Sequence, residues 1–172
     1  MKNFMTRTLM LISLLLSGAI FGFFYAWVCS TMWGLDSTDP RVAIQAMQAM
    51  NGSVRNAVFA PAFFATPVFL GLTAWVLWRQ HYRKSAACFA LSGGLYLCFG
   101  LVLTMVVNVP MNEALAAIEV PSDIEAARRI WDDYSPRWQF WNQTRTVLSG
   151  ISFLIAVGGV MALSSNHVKQ DD

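Results

Sequence analysis

The stretch that decides the fold class is residues 86–107, which read AACFALSGGLYLCFGLVLTMVV and contain no charged residue. At about 1.5 Å of rise per residue, a helix of this length crosses the roughly 30 Å of hydrocarbon in a bilayer. Three further runs have a similar length and no charge in their interior, and they cover residues 8–29, 57–78 and 146–164. The sequence therefore predicts an all-α fold, a four-transmembrane-helix bundle in a single domain over residues 1–165.

The composition excludes several classes of protein. Of the 172 residues, 56% are hydrophobic and 13% are charged, whereas a soluble domain has about 25% charged residues. The net charge is only +2 and no basic patch is interleaved with stacking aromatic residues, so nucleic acid is excluded as a partner. The expected partner is the lipid bilayer, and no oligomeric state is predicted. The three cysteines form no CxxC pair and are expected to pack as small apolar residues.

The distribution of basic residues predicts how the chain crosses the membrane. Lys2 and Arg7 precede the first run, which is longer than the apolar part of a typical signal peptide and should remain as a helix. The short connector of residues 79–84 is basic, so the positive-inside rule places it in the cytoplasm. We therefore expect an inner (plasma) membrane protein with both termini cytoplasmic, including a short polar tail of residues 166–172. The two long, acidic connectors then face outward.

The first outer connector predicts a short amphipathic helix. Asp39-Pro40 is typical of an N-cap followed by the first helical residue. The run Val42–Met50 then has apolar residues at helical spacing, and Asn51-Gly52 should end the helix.

The second outer connector predicts two helix starts. Ser122, with Glu125 three residues later, forms a capping box that begins an amphipathic helix reaching about Tyr134. Ser135-Pro136 then predicts a new start, and this second helix continues directly into the fourth transmembrane run.

Polar and aromatic residues concentrate at one depth, at the outer end of the predicted spans. Polar groups near hydrocarbon are costly unless they are paired or hydrated. The group therefore predicts either mutual hydrogen bonding, with Arg145 paired to an outer acid such as Glu113, or a ligand pocket. Indoles, amides and a guanidinium together suit a planar, weakly anionic aromatic ligand, which favours the pocket. Its members are Asn51, Asn108, Asn112 and, on one helix face, Trp138, Trp141, Asn142 and Arg145.

No metal or cofactor is predicted. Both histidines, His81 and His167, fall on the predicted cytoplasmic side, away from this group. Methionines are frequent on the outer side, but a thioether fills packing gaps more often than it binds copper. No Ser-His pair, activated cysteine or glycine-rich phosphate loop is present.

Four motifs occur in order along nearly the whole chain. They are Gly22-Phe23-Phe24, Ala46-Met47-Gln48-Ala49-Met50-Asn51, Asn108-Val109-Pro110-Met111-Asn112 and Trp131-x-x-Tyr134-x-x-x-Trp138-x-x-Trp141-Asn142-x-x-Arg145. Together they resemble the anthrone-oxygenase-like (DUF1772) family of integral membrane proteins. The resemblance implies a four-helix membrane fold and, as in fungal pathway members, oxidation of an anthrone to an anthraquinone without an obvious metal or flavin.

The resemblance also implies roles for individual residues. An anthrone anion reacts with oxygen directly, so the protein need only promote deprotonation and stabilise the phenolate. Glu113 is the nearest conceivable base. By analogy, Arg145 and Asn142 would hold the oxyanion, and Asn108 and Asn112 would orient a carbonyl. Trp138 and Trp141 would stack against the rings. Further contacts with the substrate would come from Asn51, Trp131 and Tyr134.

Two hypotheses about function follow. The first is a cofactor-independent oxygenase or related redox enzyme that acts on a small aromatic or lipid-like substrate at the outer face. It predicts a ligand-sized apolar cavity ringed by Asn108, Asn112, Trp138, Asn142 and Arg145. The second is a non-enzymatic membrane protein that binds a small hydrophobic molecule or a partner protein. It predicts that the same residues bond to one another with no open cavity, or line a through-path. Transport is disfavoured, because no charge lies in the middle of a span.

Overall fold

The computed structural model describes the backbone of residues 2–168 and the side chains of residues 4–163. It confirms the all-α fold, because four of the described helices are long and apolar enough to cross a membrane. In chain order the helices are α1 (Lys2–Ala26), a π-helical segment (Trp27–Thr31), α2 (Met32–Asp36), α3 (Pro40–Ser53), α4 (Phe59–Arg79), α5 (Arg83–Leu95), two π-helical segments (Tyr96–Val102 and Thr104–Asn108), α6 (Val109–Ala116) and α7 (Ile124–Val168). Within the predicted tail, residues 169–172 lie outside the described residues.

Three of the four spans extend beyond the uncharged runs of the sequence, and the second nearly coincides with its run. The first span is Phe4–Asp36, the second is α4, the third is Arg83–Ala116 and the fourth is Ile124–Leu163. The third span continues through Pro110, which lies in the first turn of α6 directly after a π-helical segment. We attribute this continuity to the wider π-helical turn, which leaves room for a ring that would collide with an α-helical turn.

The predicted helix start at Ser135-Pro136 is wrong, because α7 continues through it without a break. Three side chains around the proline donate hydrogen bonds to the carboxylate of Asp36 at the end of α2. Trp131 Nε1 donates at 2.9 Å, Ser135 Oγ at 2.7 Å and Gln139 Nε2 at 2.8 Å. These contacts with the first span hold both sides of the proline in one helix.

The caps of the connector helices agree with the sequence in one case and differ in the other. α3 begins at Pro40 as predicted, and the Asp39 carboxylate accepts a hydrogen bond from the Arg41 backbone N–H at 2.9 Å. The predicted cap at Ser122 is wrong by one residue: Asp123 caps α7, accepting from the Ala126 N–H at 2.9 Å. α3 also ends at Ser53 rather than at residue 50.

The connector helices pack onto one end of the bundle, here called the connector end; the opposite end, at residues 79–84, is the basic-loop end. The apolar cluster at the connector end includes Ile44 of α3 and Leu115 of α6. Gln48 of α3 donates to the carbonyls of Leu115 and Ile118, both at 2.9 Å. α3 is therefore fixed to the end of the third span, next to the polar group predicted from the sequence.

Candidate functional site

Arg145 is the one buried charged residue of the described chain, with 5% of its surface exposed. Its Nε and Nη2 donate to Oδ1 of Asn142 at 3.0 and 2.8 Å, and its Nη1 donates to the Thr104 hydroxyl at 3.1 Å. Its guanidinium carbon lies 4.3 Å from the ring centre of Phe24 and 5.3 Å from that of Trp138. These neighbours offer partial negative charge to the cation, but no formal charge.

No carboxylate within the described residues forms an ion pair with Arg145. The expected alternative of pairing with Glu113 is wrong, because Glu113 pairs with Arg55 at 3.1 Å. A guanidinium has five N–H donors, and three of them are used by Asn142 and Thr104. Since a buried cation without a counter-ion is costly, the two remaining donors favour an anionic or strongly polar ligand atom.

Neighbouring hydrogen bonds orient the groups around the guanidinium. Asn142 Nδ2 donates to the backbone carbonyl of Phe24 at 3.3 Å, which leaves its Oδ1 directed at Arg145. The Thr104 hydroxyl donates to the carbonyl of Gly100 at 2.6 Å and so accepts from Arg145 through its lone pair. The first, third and fourth spans each contribute to this arrangement.

A cavity of about 570 Å³ includes Arg145 in its wall and lies among all four spans at the connector end. This volume is within the range of small-molecule sites. Ring centres lie 4.7 Å apart for Phe23 and Phe59, and 5.1 Å apart for Trp27 and Trp138, so the wall is closely packed there. The aromatic residues of the wall are Phe23, Phe24, Trp27, Phe59, Phe63, Phe64 and Trp138.

Asn112 adds a second donor to the cavity wall. Its Oδ1 accepts from the Tyr134 hydroxyl at 2.9 Å and from Trp138 Nε1 at 2.8 Å. No acceptor among the described residues bonds its Nδ2, and Asn112 itself lines the cavity. The carboxamide therefore offers an N–H group to a ligand while its oxygen fixes two aromatic side chains.

Asn108 lies one turn from both Thr104 and Asn112 but does not line the cavity. It is fully buried, and neither its Nδ2 nor its Oδ1 has a hydrogen-bond partner in the described part of the chain. A buried amide without partners costs free energy, and such groups are rare in folded proteins. The amide N–H and carbonyl groups of Asn108 are therefore unpaired in the described chain, one helical turn from the wall residues Thr104 and Asn112.

Two π-helical segments shape the third span beside the cavity, as such segments often do at functional sites. At Gly100 a Cβ atom would come within 2.6 Å of the Tyr96 ring, so the ring lies across the helix where the glycine leaves room. The Tyr96 hydroxyl donates to the carbonyl of Phe63 at 2.9 Å. This bond joins the third span to a cavity residue of α4.

The predicted site residues fall into three groups. Asn51, Asn112, Trp138 and Arg145 line the cavity. Asn108, Tyr134 and Asn142 are not part of the wall, but Tyr134 and Asn142 orient the wall residues Asn112 and Arg145 through hydrogen bonds. Trp131 and Trp141 are not part of the wall: Trp131 bonds to Asp36, and Trp141 packs edge-on against Phe140 at 5.1 Å.

Sequence reasoning missed Thr104 as the hydroxyl partner of Arg145, although a signal was present. Thr104, Asn108 and Asn112 are spaced four residues apart in an otherwise apolar run, which is typical of one helix face. It also missed Phe24, which lies under the guanidinium. Within the described residues no three His, Cys, Asp or Glu side chains are grouped to hold a metal ion.

The bundle and its cavity define a helical protein with four spans suited to a membrane and a buried guanidinium facing an aromatic chamber. The sequence model of one family, described as anthrone oxygenase, matches residues 53–155, which is more than half of the chain. The protein belongs to the anthrone oxygenase family. The matched region includes Thr104, Asn112, Trp138 and Arg145. No match was found among curated proteins or among solved structures.

Proposed function

We propose that this protein is a membrane-embedded oxygenase, or a closely related redox enzyme, that acts on a small aromatic or lipid-like substrate held in the cavity. The observation that carries the proposal is the buried guanidinium of Arg145, which has no counter-ion among the described residues and faces an aromatic cavity of about 570 Å³. A substrate that develops negative charge on an oxygen supplies the missing partner.

The chemistry follows from the charge that such a substrate develops. An anthrone-type ring system loses a proton from its CH₂ carbon, and the electron pair delocalises onto the ring oxygen. Arg145 and the Nδ2 of Asn112 are the donors positioned to stabilise that oxygen. Molecular oxygen then oxidises the carbanion: one oxygen atom becomes the new carbonyl, and the other leaves as water with the two CH₂ hydrogens.

Glu113 is the base best placed for the proton transfer. It carries the one carboxylate in the described cavity wall and pairs with the exposed Arg55 at 3.1 Å. Its exposure allows the proton to pass on to solvent. The aromatic part of the wall lowers the local dielectric constant around the substrate anion, which strengthens its attraction to the guanidinium.

The test is anthrone oxidation by the purified protein in lipid nanodiscs, followed by oxygen consumption and anthraquinone absorbance. We expect Arg145→Gln to lower the rate about 100-fold, the loss typical of removing one oxyanion donor. Arg137→Gln is the matched control, since Arg137 lies on the same helix with its side chain 69% exposed. A wild-type protein that accelerates oxidation no more than empty nanodiscs would refute the enzymatic proposal.

A second candidate is a non-enzymatic binder of a small hydrophobic molecule. The observation that favours it is the extent of mutual hydrogen bonding among the site residues. Arg145 donates to Asn142 and Thr104. Asn112 accepts from Tyr134 and Trp138. Native mass spectrometry separates the two functions. A ligand retained by the wild type, absent from Arg145→Gln and unaltered under oxygen, supports a binder.

A further inference from the structure

We propose that the substrate reaches the cavity sideways from the bilayer, through a cleft between α4 and the third span. This inference rests on the proposed function and specifies its substrate class: an apolar molecule that partitions into lipid and carries one ionisable oxygen. The lateral cleft is defined by Ala60 and Phe64 on α4 and by Met105 and Val109 on the third span, all of which line the cavity.

The exposure of the cleft residues shows where the cavity opens. Phe64 is 51% exposed and Met105 is 45% exposed, although both line a cavity inside the bundle. Both lie within spans that are long and apolar enough for a membrane. In a bilayer, their exposed surfaces contact lipid chains rather than water.

The helix packing explains the opening. At the middle of α4 the helix lies close to α5: a Cβ at Gly93 would lie 3.3 Å from the Cβ of Leu70 and 3.9 Å from the carbonyl oxygen of Pro67. The backbone of α4 makes close approaches to α5 along its length but almost none to residues 104–116. A proline inside a helix interrupts its hydrogen bonding and favours a bend. The two helices therefore separate where the cavity lies.

Side chains narrow two of the other possible routes. On the aqueous side, Arg55 and Glu113 form an ion pair across the cavity mouth at 3.1 Å. Between the first span and α4, the rings of Phe23 and Phe59 close the seam with their centres 4.7 Å apart. A molecule that enters through the lateral cleft passes the Phe59 and Phe63 side of the cavity before its oxygen reaches Arg145.

The closing experiment measures how fast a fluorescent phenol, 2-naphthol, binds to the protein in phosphatidylcholine nanodiscs by stopped flow. Val109→Phe narrows the cleft, and Val102→Phe is the matched control, since Val102 is 46% exposed on the same span but lies outside the cavity wall. We expect Val109→Phe to lower both the association and the dissociation rates at least tenfold, with Kd changed less than threefold. The control should change neither rate more than twofold.

Each other outcome has a distinct meaning. If Val109→Phe binds at the wild-type rate, or if Val102→Phe is slowed equally, the lateral route is wrong while the site stands. If Val109→Phe raises Kd through faster dissociation, the residue occupies ligand space and the cleft is not the route. Arg55→Ala should leave the association rate within twofold, and a tenfold increase would mean that ligands enter from water. Absence of saturable binding to the wild type would refute the proposed site itself.

Discussion

The two ends of the bundle differ in the kind of polar group that they bury. Towards the basic-loop end, hydroxyls pair across helices: Ser13 bonds Thr73 at 2.9 Å, and Ser92 bonds Ser152 at 3.0 Å. Towards the connector end, Asn108 has no partner in the described chain, and Arg145 keeps two unused donors. Paired hydroxyls hold helices together. Two serine hydroxyls, those of Ser85 and Ser149, are also buried without a partner in the described chain, so what distinguishes the site is an unpaired amide and a charged group beside the cavity. The difference separates the structural half of the bundle from the half that carries the site.

The largest expected effect comes from giving Arg145 the counter-ion that it lacks. Asn142→Asp places a formal negative charge at the atom that already accepts two of its hydrogen bonds. We expect 2-naphthol to bind about 100-fold more weakly, because the new carboxylate would neutralise the guanidinium and weaken its attraction for the phenol oxygen. The thermal midpoint should stay equal or rise. Unchanged binding by this variant would contradict the idea that the missing counter-ion is supplied by the ligand.

Two asparagines of the third span should contribute to stability with opposite signs. Asn108→Leu removes an amide without partners, so we expect a gain in the free energy of unfolding of about 1–2 kcal/mol. Asn112→Leu removes the acceptor of Tyr134 and Trp138 and should lose about 2–3 kcal/mol. Reversible unfolding in mixed detergent micelles measures both. A loss of equal size in the two variants would show that Asn108 has partners after all.

A matched pair of serines on α7 tests the structural half. Ser152 bonds both the hydroxyl and the carbonyl of Ser92, while Ser149 has no partner in the described chain. Ser152→Ala should lower the free energy of unfolding by about 0.6–1 kcal/mol, and Ser149→Ala should leave it unchanged or raise it slightly. Equal losses in the same unfolding assay would contradict this division.

The smallest effect is expected at the start of α3. Hydrogen bonds from the Arg41 side chain, then from its backbone N–H, lower the pKa of Asp39 from 3.8 to about 2. A lowered folded-state pKa adds stability above pH 4 that is lost as the pH falls towards 2. Asp39→Asn keeps an N-cap but lacks this charge. Thermal midpoints measured from pH 6 to pH 2.5 should therefore differ most above pH 4 and converge at the acid end; a constant difference would contradict the assignment.

The sequence by itself determined the spans and much of the site. A segment that crosses hydrocarbon must pair all of its backbone N–H and C=O groups internally. An uncharged run of about 20 residues does this as a helix, so the four spans follow from composition. Asp39-Pro40 fixed the start of α3 locally, through a cap that needs no distant contact. The spacing of Trp138, Asn142 and Arg145 placed them on one face, because helical geometry alone sets that relation. All three are buried together.

Only the tertiary structure decided which groups these faces meet. Arg145 bonds Thr104, 41 residues away, and lies over Phe24, while Glu113 pairs with Arg55 instead. α7 crosses Pro136 intact because Asp36, from the first span, bonds the side chains around it. Periodicity fixes how residues are arranged around their own helix. It does not fix how neighbouring helices rotate about their axes or how closely they approach. The packing of the helices therefore determines the cavity, its unpaired cation and its lateral cleft.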